Sequence, residues 1–410
     1  MAMRENIIGM KILWVCGTFL HPTTKGGQIR TLEMLKRLHQ GHEIHYLAYQ
    51  TPGDAEGLAR ASEYSTRAYA IPHHVPPRGS VKFFGQLAGN LLSELPLSVS
   101  RYAGEPMRAK IAELRTKENF DSVVCDFLFP APNFEDLSGV VLFEHNVESM
   151  IWKRHVEASK DPLRKAYFSL QCNRMLAYEK KAVRQCAHVI AVSPVDARKL
   201  EQMFSVPHVS DVKTGVDTGY FDPPRGEHPH VADMVFVGSM DWMPNIDGVN
   251  FFTSEVLPLI RKQLPNASLA VVGRTPGPEI RRLAETGQNI VVTGTVADIR
   301  PYLWGSAVSI VPLRIGSGTR LKIYESMAAK TAVVSTTIGA EGLIYEDGKN
   351  IAIADSPEQF AARTVELLKD AAQRNKMAQS AFDMVAAQFS WEQVTREFEA
   401  LLAKYPARRH

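Results

Sequence analysis

The sequence predicts an α/β protein made of two doubly wound domains, and three observations carry that prediction. Short apolar runs alternate with longer amphipathic stretches, the pattern of a parallel sheet covered by helices on both faces. The alternation pauses at residues 212–224 (VKTGVDTGYFDPP), where Gly, Asp and Pro mark a linker, and then restarts. The chain has 410 residues, well beyond one ordinary domain of roughly 150.

In the first half, residues 11–17 (KILWVCG) read as a buried strand. A helix follows over 29–38, with apolar residues at 29, 32, 34, 35 and 38. Residues 45–49, 67–71, 122–125, 140–143 and 189–192 are short β-branched or apolar runs and read as further strands. In the second half the strands are expected at 234–237, 269–272, 290–293, 308–311, 332–335 and 351–353. Helices are expected over 246–263 and 322–329, and a last amphipathic helix over 391–404. Ligands of such sheets bind beyond the carboxyl ends of the strands, so a cleft between the two domains is the expected site.

Composition narrows the function. Hydrophobic residues make up 45% and charged residues 22%, enough for large cores and against disorder. A net charge of +3 is too small to argue for nucleic acid. The cysteines at 16, 125, 172 and 186 form no CxxC pair, which fits a reduced, cytoplasmic setting better than a zinc site or a disulfide framework. The opening residues contain no signal-like apolar run, and no stretch of 18 apolar residues occurs. The loop after the first strand, GTFLHPTTKGGQIRTLEML, is neither GxGxxG nor GxxxxGK[ST], which disfavours dinucleotide and P-loop chemistry.

Three segments carry candidate chemistry. Gly26 and Gly27 open a helix, where exposed backbone N–H groups can receive a phosphate or sugar; a plain tight turn is the simpler alternative. FEHNVES at 143–149 follows a strand and places His145 at its carboxyl end, suited to a substrate hydroxyl or to proton handling. A capping segment with Asn146 as the cap is the competing reading. The strongest segment is RIGSGTRLKIYESMAAKTAVVST, 314–336. There a Gly-rich turn, Arg320 and Lys322 at a helix start make a diphosphate cradle, and Glu325 on the same helical face can accept two ribose hydroxyls.

These segments together resemble a known family. The glycine pair at 26–27, EHN at 144–146, GVD at 215–217 with Phe221, FVGSMDWMPNIDG at 236–248, VVGRTP at 271–276, VTGTVADIRPYL at 292–303, GSGTRLKIYESMA at 316–328 and FSW at 389–391 are similar to the retaining glycosyltransferases of family 4. The wording EHNVES is closest to sugar transferases of bacterial exopolysaccharide or surface-glycan assembly. The resemblance implies the GT-B fold, two Rossmann-like domains facing a cleft. It implies an acceptor-binding domain over 1–207, a donor-binding domain over 208–386 and a helix over 387–410 that crosses back to the first domain.

The resemblance also implies roles. Gly26 and Gly27 lie under the donor, His145 contacts the transferred sugar, and Arg320 and Lys322 neutralise the leaving diphosphate. Gly316, Ser317, Gly318, Thr319 and Ser239 line the donor site, Thr295 and Val296 border the base, and Glu325 holds the ribose. Two positions depart from the family pattern. Ser317 stands where the first glutamate of Glu-x7-Glu is expected, and Ser239 where many members carry an arginine. The expected activity is transfer of a sugar from a UDP- or GDP-sugar to a glycan, lipid-linked or small-molecule acceptor, with retention. No cofactor is expected. No DxD pair lies between strands, so no metal is expected either. A non-catalytic homologue that binds a nucleotide sugar is the alternative, motivated by Ser239 and Ser317.

The acceptor side is read from composition. Residues 151–186 hold nine Lys or Arg against three acids, and 81–97 form an apolar stretch expected as a loop. Together they are compatible with peripheral contact with the inner face of the cell membrane or a lipid-linked acceptor; a solvated helix face beside ordinary core is the simpler alternative.

Overall fold

The computed structural model describes residues 9–408 apart from 24–25, 53–54, 75, 77–79, 160, 227, 286–288 and 316–320. The described chain divides into two compact units, Met1–Thr214 with Val394–His410, and Gly215–Gln393.

The first unit is built on a seven-stranded parallel sheet. Its strands are β1 (Lys11–Cys16), β2 (Glu43–Gln50), β3 (Arg67–Pro72), β4 (Ser122–Asp126), β5 (Val141–Glu144), β6 (His188–Ala191) and β7 (Val209–Asp211), in the order β3-β2-β1-β4-β5-β6-β7. Each expected strand of this half is present, and β7 is an addition. Its three residues are too short for periodicity to reveal. The central strands are buried on both faces, which is why β1 and β4 read as largely apolar runs, KILWVC and SVVCD. Leu13 and Val15 face one core, with Met107, Leu142 and Val189. On the opposite face Trp14 and Phe143 meet Phe398, at ring centroid distances of 5.6 and 5.0 Å.

Phe398 belongs to the helix Trp391–Lys404, most of which is part of the first unit. His42 lies 3.1 Å from Glu399 of the same helix, and the Ala407 N–H donates to Asp121 at 2.8 Å. The chain thus returns to its first unit after completing the second.

The second unit holds a six-stranded parallel sheet: β8 (Ala232–Val237), β9 (Leu269–Val272), β10 (Ile290–Gly294), β11 (Ser306–Val311), β12 (Ala332–Ser335) and β13 (Ala352–Ile353), in the order β10-β9-β8-β11-β12-β13. The helix expected over 246–263 is instead Met243–Phe251 and Leu257–Arg261 joined by a π-helical turn, Phe252–Val256. Pro258 supplies the reason: it has no N–H for the helical ladder, and one widened turn absorbs the gap.

The expected loop over 81–97 also needs correction. Val81–Leu91 is a helix, started by the Ser80 hydroxyl accepting from the Phe83 N–H at 3.1 Å. Arg174 closes its other end, donating to the Asn90 and Leu91 carbonyls at 2.7 and 2.8 Å. Gly85 and Gly89 hide this helix from a propensity reading. The linker at 212–224 likewise contains one short helical turn, Thr218–Phe221, capped by Asp217.

Both sheets have a point where strand order reverses, between β1 and β4 and between β8 and β11. Adjacent helices there leave in opposite directions, so the strand ends open a crevice. Gly27 and His145 lie near the first of these points, and Ser239 and Lys322 near the second.

Candidate functional site

In the first unit the organising group is Asp126, the last residue of β4 and fully buried. Its Oδ2 accepts from the Trp14 indole N–H at 3.0 Å and the Thr31 hydroxyl at 2.8 Å. Its Oδ1 accepts from His145 Nε2 at 2.7 Å. An ionised carboxylate accepts only, so this contact keeps the histidine proton on Nε2. Nδ1 is then free to accept, and Arg30 Nη1 lies 3.0 Å from it. Burial holds the imidazole below its usual pKa; Asp126 opposes this and Arg30 adds to it. His145 is therefore a neutral, oriented ring with both nitrogens engaged.

Arg30 is itself unusual. It is buried, and burial pulls its guanidinium down to about 10. Its Nε donates to the Thr214 hydroxyl at 2.9 Å, and Nη2 donates to the same oxygen. Among the described residues its direct partners are uncharged, which is costly for a buried cation unless anions stand near, and Asp126 and Asp196 supply that field.

The glycine pair divides into two roles. A Cβ at Gly26 would meet nothing within 4 Å, whereas a Cβ at Gly27 would lie 2.5 Å from Phe127 Cζ and 3.3 Å from His145 Nδ1. Phe127 comes that close because its backbone is left-handed, φ +67°, held by its N–H donating to the Phe143 carbonyl at 2.9 Å. A bulky residue in that region is strained, a condition found mainly around functional sites. Asn146 is not the cap of the following helix. Val147 holds that position, and Glu179 accepts the free N–H groups of Glu148 and Ser149 at 2.7 and 3.1 Å.

In the second unit Lys322, on the helix Leu321–Ala328, reaches the end of β8. Its Nζ donates to Asn245 Oδ1 at 2.8 Å, and Asn245 Nδ2 donates to the Ser239 carbonyl at 2.8 Å. Gly238 makes room for this: a Cβ there would lie 2.7 Å from Nζ and 2.8 Å from Asn245 Nδ2. Glu325 lies one turn along the same helix. Burial raises its carboxyl pKa against the pull of Lys322. Among the described residues its carboxylate has no hydrogen-bond partner.

Ser239 has a cation beside it after all. Arg274, two residues beyond β9, donates from Nε to the Ser239 hydroxyl at 2.9 Å and lies 3.7 Å from Asp241. Thr295 and Val296 follow β10 directly, two strands from β8 in the sheet. Gly316, Ser317, Gly318, Thr319 and Arg320 lie outside the described residues. Among the described residues no group of three or more His, Cys, Asp or Glu converges in metal-holding geometry.

The structure thus joins Gly27 to His145, and Lys322 to Ser239 through Asn245. Sequence reading missed Arg30, Asp126, Asn245 and Arg274. Arg274 and Asn245 had a local signal, their places in VVGRTP and FVGSMDWMPNIDG after strands.

Two doubly wound parallel sheets, each with a strand-order reversal, define the GT-B class of fold. Residues 232–370 match the family described as "Glycosyl transferases group 1". Over 400 residues the chain is 22% identical to an "Uncharacterized 44.6 kDa protein in cps region" of Klebsiella pneumoniae, covering 94% of this chain and 97% of that protein. Among solved structures, sucrose-phosphate synthase from Thermosynechococcus elongatus superimposes with a TM-score of 0.64 at 17% identity, over 96% of this chain and 98% of that one. Anabaena HepE in complex with UDP superimposes with a TM-score of 0.61 at 12% identity, over 96% and 100%. The same protein in complex with UDP-glucose gives a TM-score of 0.56 at 13% identity, over the same shares.

Proposed function

We propose that this protein is a retaining glycosyltransferase that moves a sugar from a UDP- or GDP-sugar to a glycan, lipid-linked or small-molecule acceptor without a metal. The observation that carries the reading is the group at the end of β8. Lys322 is held over Gly238 by Asn245, with the buried carboxylate of Glu325, which has no hydrogen-bond partner among the described residues, one helical turn away. A cation followed by a free acceptor at that spacing suits a diphosphate and its ribose. The likeness to UDP-binding HepE and the cps-region relative support the same class.

In this reading the second unit takes the donor and the first unit presents the acceptor. The acceptor oxygen forms a bond to the anomeric carbon on the face the diphosphate leaves. The bond from that carbon to the phosphate oxygen breaks, its electron pair stays on the phosphate, and the acceptor proton passes to it. Lys322, Arg274 and Arg320 neutralise the departing charge, a stabilisation strongest where water is excluded. His145 serves as a fixed neutral ring rather than a proton carrier, because Asp126 and Arg30 occupy its nitrogens. Gly26 leaves open space at a helix start, since a Cβ there would meet nothing within 4 Å.

Peripheral membrane contact belongs to the same proposal. The helix Val81–Leu91 exposes Val81, Phe84 and Leu91, and Arg174 ties it to the basic helix Pro162–Gln185. No helix of the described chain is long and apolar enough to cross a membrane.

The test is thermal denaturation against UDP, GDP and ADP, with Glu325→Ala beside wild type. A specific nucleotide at a hundredfold excess over its dissociation constant adds about 2.7 kcal/mol. Stabilisation by one nucleotide, lost in the variant, is the expected result. No response to any of them sinks the donor assignment. Inverted anomeric configuration in the product sinks retention. Nucleotide binding without donor turnover moves the reading to a non-catalytic homologue.

A further inference from the structure

Three carboxyl groups are buried together where β5 runs into the helix Glu148–Ala158. Glu144 ends β5, Glu148 opens that helix, and Glu179 lies on the helix Pro162–Gln185 packed against it. They are 1%, 6% and 0% exposed. Among the described residues no lysine or arginine pairs with any of them. Three uncompensated charges in one buried place are too costly to keep, so part of the group holds protons.

Hydrogen bonding decides which members do. Glu179 accepts from the Glu148 N–H at 2.7 Å and the Ser149 N–H at 3.1 Å. These are free donors at a helix start, so Glu179 is the member placed to carry a negative charge. Both oxygens of Glu144 are buried with no hydrogen-bond partner among the described residues, and Glu179 and Glu148 act on it electrostatically. Nothing there supports a second charge, so Glu144 is the member that holds its proton. Glu148 stands between the two. Its Oε1 accepts only a long bond from Asn146 Nδ2, at 3.3 Å, and it is the most exposed of the three. Protons therefore enter and leave the trio most readily at Glu148.

The surroundings do not offset these charges. Cys125 and Asp126 stand at the end of β4, Cys172 and Tyr178 on the helix Pro162–Gln185, and Cys186 just past it. Burial lifts the three thiols and the phenol above their usual pKa, which leaves them neutral, and Asp126 is a further acid. The trio also lies under the candidate site, since His145 and Asn146 separate Glu144 from Glu148. The two bonds to Glu179 dock the helix start on its neighbour, and Cys172 Sγ adds a donation to the Ser149 carbonyl at 3.8 Å. Glu148 is raised to about 7, so its stabilising contribution is present at low pH and lost as pH rises through that value. Its carboxylate and that of Glu179 then repel each other across the bonds that dock the helix.

We infer that Glu144, Glu148 and Glu179 form a proton-operated latch, which holds the helix start beside His145 while the trio keeps its protons and lets it open when they are lost. The latch stands on the first unit alone; its bearing on catalysis rests on the glycosyltransferase reading. The experiment is hydrogen–deuterium exchange of the full chain at pH 6, 7, 8 and 9, corrected for the intrinsic pH dependence of exchange. Wild type is compared with Glu144→Gln, Glu148→Gln and the double variant; glutamine has the shape of a protonated glutamate, so these variants mimic the latched form. The expected result is that protection over residues 147–158 falls about tenfold for each pH unit above 7, the value for one proton, while β2 in the same unit stays protected. Each single variant reduces that fall and the double variant removes it. The inference is overturned if residues 147–158 keep their protection up to pH 9, or if the variants behave as wild type. It is equally overturned if β2 loses protection in step, which makes the effect global unfolding. UDP stabilisation is measured at pH 6 and pH 9 in parallel. A latch response without any nucleotide response supports the latch and sinks the transferase reading, so the two failures are distinct.

Discussion

Gly27→Ala tests whether the second glycine of the pair is there for packing or for a ligand. An alanine Cβ at 27 would stand 2.5 Å from Phe127 Cζ and 3.3 Å from His145 Nδ1. Neither neighbour can step aside cheaply. His145 is gripped by Asp126 at 2.7 Å and Arg30 at 3.0 Å, and Phe127 is stacked on it at 3.8 Å. Overpacking of this kind costs about 1–3 kcal/mol. Alanine also gains up to about 1 kcal/mol over glycine in a helix. Gly26→Ala carries a similar gain with no neighbour within 4 Å, so the difference between the variants isolates the steric cost. Urea denaturation followed by tryptophan fluorescence is the assay, since Trp14 donates to the same Asp126 and reports on this corner of the first unit. The expectation is G26A at or above wild type and G27A lower than G26A by about 1–3 kcal/mol. If G27A is as stable as G26A, Phe127 does not crowd the helix start, and the packing role assigned to Gly27 is wrong.

Three further outcomes follow from the same geometry. Burial, with Glu179 nearby and the Asn146 hydrogen bond opposing, lifts the Glu148 carboxyl from 4.5 to about 7, so the folded state binds the extra proton and this contribution is lost as pH rises through 7. Glu148→Gln should flatten the fall in stability between pH 5 and pH 8 by up to about 3 kcal/mol, read by urea denaturation at both pH values; an unchanged slope refutes it. Lys322→Met should weaken UDP binding about ten- to a hundredfold, the value of a charge-assisted hydrogen bond, measured by calorimetry with thermal stability as the folding control. Phe84→Asp, at an exposed position of the helix Val81–Leu91, should reduce co-sedimentation with phosphatidylglycerol vesicles while leaving UDP binding intact; wild type that fails to sediment removes the membrane proposal.

The fold was legible because parallel strands are buried on both faces and announce themselves as apolar runs. Lys11–Cys16 is apolar after its first residue, and Leu269–Val272 has no polar residue to blur it. The features that escaped reading were those set by neighbours. The helix Val81–Leu91 contains two glycines and is secured at its end by Arg174, 83 residues away from Leu91. The π-turn at Phe252–Val256 depends on how the chain absorbs Pro258, which a hydrophobic pattern does not encode. The strand β7 exists through pairing with β6 rather than through its own composition.

The site was legible to a different depth in each unit. In the second, Lys322 and Glu325 lie on one helical face, so local periodicity places them together, while Gly238, just after β8, meets Lys322 only through the fold. In the first, the sequence offered His145 alone. Its chemistry is set by Asp126, at the end of the neighbouring strand, and by Arg30, on the helix after the first. Register decides this. Asp126 pairs with Phe143 across β4 and β5, which leaves His145 just past the strand end and within reach of the carboxylate. A histidine seen alone suggests a proton carrier; one with Asp126 on Nε2 and Arg30 on Nδ1 has no nitrogen left for that work. Any catalytic part it plays must then pass through the position of its ring and its two partners. Phe127, stacked on it at a centroid distance of 3.8 Å, is what that fixed ring directly carries.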